Sequence, residues 1–158
     1  MLKSSRSSYA AGQKIEGMNN VTALAAAHSL GLDEYLAAPD CHPLSLLGDT
    51  SAILDEFPAE SVDYCMTSPP YWGQRSYAGG GIGLEERHED YIAHLLSIFL
   101  KLHRILKRTG SFWLNIGDAY FKKNLLGLPW RVALAMTDQQ GWVLRNSIVW
   151  NKVKGGPD

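Results

Sequence analysis

The chain has 158 residues, 46% hydrophobic and 20% charged, with a formal net charge of -1. That length holds one domain with a sizeable core and no second full domain, and the ordinary composition excludes collagen, a disordered chain and a membrane protein. Near-neutral charge excludes a uniformly basic nucleic-acid binder, so any contact with a polyanion is local; basic residues do gather from Lys101 to Lys123 and from Arg145 to Lys154, as solvated faces or as such a contact.

In chain order, Met1–Lys14 carries Lys3, Arg6, Lys14, several serines and no acid, which reads as a frayed terminus with only a faint likeness to a transit peptide. Val21–Leu36 is rich in alanine and leucine and reads as a helix closed by Pro39, so residues 1–43 form an N-terminal extension with one helix. Leu44–Leu47, running into Gly48-Asp49, reads as a short buried strand. Ser51–Phe57 reads as a helix stopped by Pro58. Val62–Met66 is a second buried strand, ended by Pro69-Pro70 because proline brings no N–H to a ladder and restricts its predecessor. Ser76–Gly83 reads as a loop; its glycines do not match GxGxxG, since Leu84 stands three places beyond Gly81.

From Glu89 to Leu106 the apolar residues Tyr91, Ile92, Leu95, Leu96, Ile98, Phe99, Leu102, Ile105 and Leu106 recur at helical spacing, with Lys107, Arg108 and Gly110 as end signals. Ser111–Ile116 reads as a strand, Leu125–Gln140 as a helix stopped by Gly141, and Val143–Trp150 as a final strand. Strands alternating with helices predict right-handed βαβ units, and so an α/β fold with a parallel sheet and flanking helices. Ligands of such sheets gather at the carboxyl ends of the strands. That rim carries Gly48-Asp49, Thr67–Trp72 and Asn115–Tyr120. Asp49 also suits a helix cap, Asn115 and Asp118 suit turns, and Trp113, Trp130 and Trp142 suit packing.

Cys41 and Cys65 have no CxxC spacing, and the five histidines form no HExxH pattern, so neither a disulfide framework nor a metal site is expected. No apolar run reaches the roughly 20 residues that span a bilayer. A cytoplasmic protein with no membrane partner is the expectation.

The segment with chemical character is Ser68-Pro69-Pro70-Tyr71, between Thr67 and Trp72 at a strand tip. TSPPYW, preceded by LLGDTSAILDEFPAESVDYCM and followed by GIGLEERHEDYIAHLLSIFLKLHRILKRTGSFWLNIGDAY, resembles the permuted (beta-class) amino DNA methyltransferases, whose catalytic motif precedes the cofactor motif. The resemblance runs from about Leu44 to the last residues. It implies a partial Rossmann-like, S-adenosylmethionine-dependent methyltransferase fold of prokaryotic or phage type, and a partner in double-stranded DNA with a flipped target base. Serine in the first motif position, with Tyr71 and Trp72, resembles the N4-cytosine enzymes of restriction-modification systems. N6-adenine enzymes, which mostly carry aspartate there, are the alternative, and a non-catalytic module binding DNA or a partner is another.

The chemistry implied is activation of a poorly nucleophilic exocyclic amine. Ser68 and the Pro69 carbonyl can accept its hydrogens, the stiff Pro69-Pro70 step holds them in place, and Tyr71 can stack on the base. Asp49, Thr67 and Asn115 are the positions expected to meet the cofactor. Trp72, Arg75, Trp150 and Lys152 are expected on the DNA side, Trp150 to Lys152 because LLGLPWRVALAMTDQQGWVLRNSIVWNK resembles the family's segment before its DNA-recognition region. Cysteine attack at C5 of cytosine is disfavoured, because neither cysteine follows a proline. Residues 44–158 thus read as a catalytic part truncated before the target-recognition and Phe-x-Gly-x-Gly segments. The cofactor pocket is then incomplete, and a complementing C-terminal half is a possible partner.

Overall fold

The computed structural model describes residues 22–23, 31–39, 43–74 and 81–151. Strand β1 (Thr22–Ala23) pairs antiparallel with β2 (Leu46–Leu47), with Thr22 opposite Leu47; between them lies helix α1 (Leu32–Ala37). The helix expected over Val21–Leu36 is therefore not continuous. Thr22–Ala23 is drawn into a ladder, and Gly31 stands extended at φ −62° and ψ 159° before α1. Pairing across the chain overrides alanine's local preference here. Ala38, before Pro39, ends α1 in extended backbone, as a residue preceding proline should. β2 lies where a strand was expected, but its ladder is antiparallel and separate from the parallel sheet.

Helix α2 (Thr50–Glu56) starts at Asp49, whose Oδ1 accepts the Ala52 N–H at 3.0 Å, and stops at Phe57 before Pro58. Strand β3 (Val62–Thr67) then leads through the motif loop to helix α3 (His88–Ile105), which passes straight into strand β4 (Leu106–Leu114). β3 and β4 run parallel, with Tyr64 opposite Ser111 and Thr67 opposite Leu114. The register shifts between Val62 and Tyr64, because the stretch after Leu106 is irregular up to Ser111. Lys107, Arg108 and Gly110 belong to that stretch, not to a helix end. Leu106 is already extended, and the basic residues of the last helical turn are His103 and Arg104. Gly110 is required by close approach: a Cβ there would lie 2.9 Å from the Lys107 carbonyl oxygen and 3.1 Å from that of Asp63.

A hairpin follows, β5 (Tyr120–Phe121) and β6 (Asn124–Leu125), and then helix α4 (Leu128–Gln140), capped by Gly141 in the left-handed conformation. α4 starts later than Leu125, because Asn124–Leu125 is used in the hairpin. Val143–Trp150 is not a strand. No partner strand lies beside it among the described residues, and Val143, Ile148, Val149 and Trp150 are exposed.

The core is built on α3. Tyr91, Leu95, Phe99, Leu102 and Ile105 form its buried stripe, met by Leu128, Val132 and Met136 from α4 and by Leu54 from α2. Each fully buried side chain of this size contributes roughly 1.5–3 kcal/mol. Phe99 meets Phe112 of β4 edge to face at 5.1 Å, and Phe112 in turn meets Trp142 at 5.4 Å. Polar ties reinforce the packing: Lys101 Nζ donates to Ser51 Oγ and Asp55 Oδ2, Arg104 donates to the Leu54 carbonyl, and Gln140 Nε2 donates to that of Leu96. The other face of the β3–β4 pair carries Tyr64, Met66 and Trp113, all exposed. Of the three tryptophans expected to pack, Trp142 does, whereas Trp113 and Trp130 are exposed.

Candidate active site at the carboxyl ends of the parallel strands

The β3–β4 ladder continues one step past its last strand residues, the Asn115 N–H donating to the Thr67 carbonyl at 2.9 Å. Beyond that bond the two chains part, and the loops Ser68–Trp72 and Asn115–Asp118 come together. Gly117 is where they touch. A Cβ at this position would lie 2.8 Å from Tyr71 Cε2 and 2.9 Å from Cδ2, so only glycine lets the Tyr71 ring rest against the second loop.

The motif is gripped from α3. The Tyr91 side chain is fully buried and its hydroxyl donates to the Pro70 carbonyl at 3.0 Å. Burial first, then negative charge at Glu85 and Tyr71, pushes the Tyr91 hydroxyl up to about 12, so it remains a donor at neutral pH. Glu85 supplies a second grip. Its carbonyl accepts from Trp72 Nε1 at 2.9 Å, its Oε2 accepts the Gly83 N–H at 2.8 Å, and its Oε1 lies 2.9 Å from His94 Nδ1. The Gly73 N–H donates to the Gly83 carbonyl at 2.8 Å, closing the loop on itself.

Within this frame Ser68 is exposed and Pro69, Pro70 and Tyr71 are half-buried. Among the described residues neither the Ser68 hydroxyl nor the Pro69 carbonyl has a hydrogen-bond partner. The motif thus presents two oxygens at a strand tip while its next carbonyl is tied down.

The remaining expected residues are placed as follows. Thr67 and Asn115 meet at the end of the ladder, and among the described residues their side chains have no partner. Asp49 caps α2 after a strand that does not pair with β3, so no ladder joins it to this rim. Asp118 acts in the turn: its Oδ1 accepts the N–H groups of Ala119 at 2.8 Å and Leu128 at 3.0 Å, serving an α4 N-terminus whose own N-cap is glycine. Trp72 is half-buried, its ring edge-on to His88 at 6.0 Å and to Phe121 at 5.9 Å. Trp150 is exposed. Arg75 and Lys152 lie outside the described residues, as do residues 76–80 of the expected loop.

Sequence reasoning did not single out Tyr91, Glu85 or Gly117. By spacing Tyr91 belongs to the apolar stripe of α3 and so to the core; the one signal is that a buried tyrosine hydroxyl needs an acceptor. Spacing marks neither Glu85 nor Gly117. Among the described residues no three of His, Cys, Asp and Glu gather as a metal site, and no helix is long and apolar enough to cross a membrane.

Over 167 residues the chain is 34% identical to the Type II methyltransferase M.SmaI of Serratia marcescens, covering 83% of this chain and 57% of that protein. It is 40% identical over 129 residues to M.SfiI of Streptomyces fimbriatus, covering 70% of this chain and 30% of that protein. The chain therefore spans between 30% and 57% of the length of these two relatives. Its mixed α/β fold is similar to the solved PvuII DNA methyltransferase (cytosine-N4-specific), with a TM-score of 0.50 and 33% identity over 60% of this chain and 33% of that one. Residues 62–158, more than half of the sequence and including the motif and both strands that frame it, match the DNA methylase family of N6 and N4 methyltransferases, and the chain belongs to that family.

Proposed function

We propose that this chain carries the catalytic segment of an enzyme that transfers the methyl group of S-adenosylmethionine to the exocyclic N4 amine of cytosine in double-stranded DNA, as part of a restriction-modification system. One observation carries the reading. The Pro70 carbonyl is taken by Tyr91, while the adjacent Pro69 carbonyl and the Ser68 hydroxyl stand unpartnered among the described residues at the end of β3.

The amine lone pair of cytosine is delocalised into the ring, and two acceptors aimed at its hydrogens draw the nitrogen toward tetrahedral geometry. Ser68 Oγ and the Pro69 carbonyl are that pair, and the prolines fix their separation, so little reorganisation is needed at reaction. The Tyr71 ring, backed by Gly117, stacks on the flipped base, a contact worth roughly 1–3 kcal/mol. Ser68 is exposed, which leaves the proton released from nitrogen a route to solvent.

The family implies S-adenosylmethionine, whose polar parts are ribose hydroxyls, an ammonium and a carboxylate. The donor set fits it in kind: Thr67 and Asn115 offer unpartnered side chains at the ladder's end, and Asp49 has a second carboxylate oxygen beyond the one that caps α2. When bound, this cofactor supplies a methyl group on a positively charged sulfur. Cytosine is preferred over adenine because Ser68 replaces the aspartate common in adenine enzymes, and because the solved PvuII relative is cytosine-N4-specific.

The test is transfer of labelled methyl to duplex DNA by the wild type and by Ser68→Ala. Because the chain spans 57% of M.SmaI, the remainder of that relative is supplied in trans. Digestion of the product should yield N4-methylcytosine, and Ser68→Ala should lose at least tenfold in rate. Equal incorporation by both proteins overturns the assignment of Ser68, and N6-methyladenine overturns the choice of base.

A further inference from the structure

The basic stretch from Lys101 to Lys123 divides sharply once its partners are known. Lys101, Arg104 and Lys107 are occupied within the fold, by Ser51 and Asp55, by the Leu54 carbonyl, and by Asp63 respectively. Arg108 lies at the beginning of β4, at the opposite end of the strand from the motif. Lys122 and Lys123 are different. Both are exposed, and neither pairs with a carboxylate among the described residues.

These two lysines are the whole turn between β5 and β6, since Phe121 pairs with Asn124. Their φ angles are +48° and +68°. A two-residue hairpin with both central residues at positive φ is a type I′ turn, the geometry that favours Asn-Gly. Lysine has a Cβ to clash there and no short polar group to bond locally. A turn selected for stability alone would not carry Lys-Lys, and strained backbone of this kind points to use.

The hairpin is also tied to the motif. Phe121 meets the Trp72 ring at 5.9 Å, the Lys122 ammonium lies 5.2 Å from the Phe121 ring centroid, and the Leu126 N–H donates to the Ala119 carbonyl at 2.9 Å across the hairpin base. The hairpin is thus held beside Trp72 at the end of the motif loop, with the Lys122 ammonium over the Phe121 ring and Lys123 next to it in the turn. We infer that the β5–β6 hairpin is a DNA-backbone contact, Lys122 and Lys123 taking phosphates next to the target nucleotide and fixing the duplex against the rim. This rests on the reading of the chain as a DNA methyltransferase. It also accounts for how a chain of net charge -1 engages a polyanion, by concentrating unpaired cations at one edge.

The experiment measures binding of a fluorescent DNA duplex by the full chain across a salt series. Each phosphate contact contributes about 0.9 to the slope of log K against log[salt]. The double variant Lys122→Asn/Lys123→Gly installs the sequence the turn prefers, so it should melt at a higher temperature than the wild type, bind more weakly, and show a slope smaller by about 2. Lys122→Arg/Lys123→Arg keeps both charges and should keep the wild-type slope. If the wild type binds and the Asn-Gly variant has the same slope, the hairpin contact is overturned while the methyltransferase reading stands. Absence of salt-dependent binding by every protein, the wild type included, overturns the hairpin contact, while the methyltransferase reading is decided separately by methyl transfer with the remainder supplied in trans. A lower melting temperature for the Asn-Gly variant removes the strain argument and overturns the hairpin assignment.

Discussion

The Tyr91 hydroxyl and the Pro70 carbonyl, 21 residues apart in sequence, meet at 3.0 Å and join the interior of the longest helix to the motif loop. Tyr91 is at once a member of the core and the anchor of the site. Tyr91→Phe separates the two roles, because the ring stays and only the donor goes. A hydrogen bond of this sort contributes about 0.5–1.5 kcal/mol net, so the melting temperature should fall by several degrees. Methyl transfer should fall further, in kcat and not in the KM for S-adenosylmethionine, because the two acceptor oxygens lose their fixed separation. A kcat within twofold of wild type would show that the prolines hold the loop unaided.

The same bond makes stability sensitive to alkali. Burial is the main reason that the Tyr91 hydroxyl is pushed up to about 12, and an ordinary tyrosine ionises near 10. Only the neutral form suits the folded protein, so this contribution is fully present below about pH 10 and is lost as pH climbs from about 10 to about 12. Urea midpoints measured through that range should fall more steeply for wild type than for Tyr91→Phe. Parallel curves for the two proteins would exclude Tyr91 as the cause.

Gly117→Ala tests the contact between the two loops. The added methyl would stand 2.8 Å from the Tyr71 ring, so either the ring or the Asn115–Asp118 loop must shift. Both loops are near the surface, and the fold should survive with a melting temperature within a few degrees of wild type. The stacking surface would be displaced, and the expected result is a loss of at least tenfold in kcat/KM for DNA. Unchanged kinetics would mean that Tyr71 is free to move without consequence.

Cys65 offers a negative test. It lies on the face of β3 that packs against the core, and burial pushes its thiol above the usual cysteine range. The nucleophilic thiolate is therefore scarce at neutral pH. Alkylation at Cys65, followed by peptide mass, should be slower than that of a free thiol at pH 8, and Cys65→Ala should retain methyl transfer. Loss of activity in a folded Cys65→Ala protein would return cysteine chemistry to consideration.

Much of this was legible in the sequence because it depends on local pattern. The stripe from Tyr91 to Ile105 specifies α3 by periodicity, Pro58 and Gly141 end their helices by backbone constraint, and Pro69-Pro70 terminates β3 for want of an N–H. What stayed hidden depends on pairing between distant segments. Thr22–Ala23 became a strand only because Leu46–Leu47 lay beside it, and Val143–Trp150, with equally strand-like residues, has no such neighbour among the described residues. The grip of Tyr91 and Glu85 on the motif was invisible for the same reason. Helical spacing shows which face of α3 is buried, but not which polar atom on that face finds a carbonyl from another loop.

Asp49 remains the residue with two claims on it, and its two carboxylate oxygens allow them to be separated. Oδ1 caps α2 through the Ala52 N–H, a contact whose loss costs about 0.5–2 kcal/mol. Asn, a good cap, keeps an oxygen for that bond but loses the negative charge available to a ribose hydroxyl or an ammonium. Asp49→Asn should therefore melt close to wild type and bind S-adenosylmethionine more weakly, whereas Asp49→Ala should be impaired in both respects. Melting curves, together with calorimetric titration in the presence of the remainder supplied in trans, decide the matter. If Asp49→Asn binds as tightly as wild type, Asp49 serves the helix alone, and the cofactor contacts rest on Thr67 and Asn115, the two residues that the end of the parallel ladder brings together.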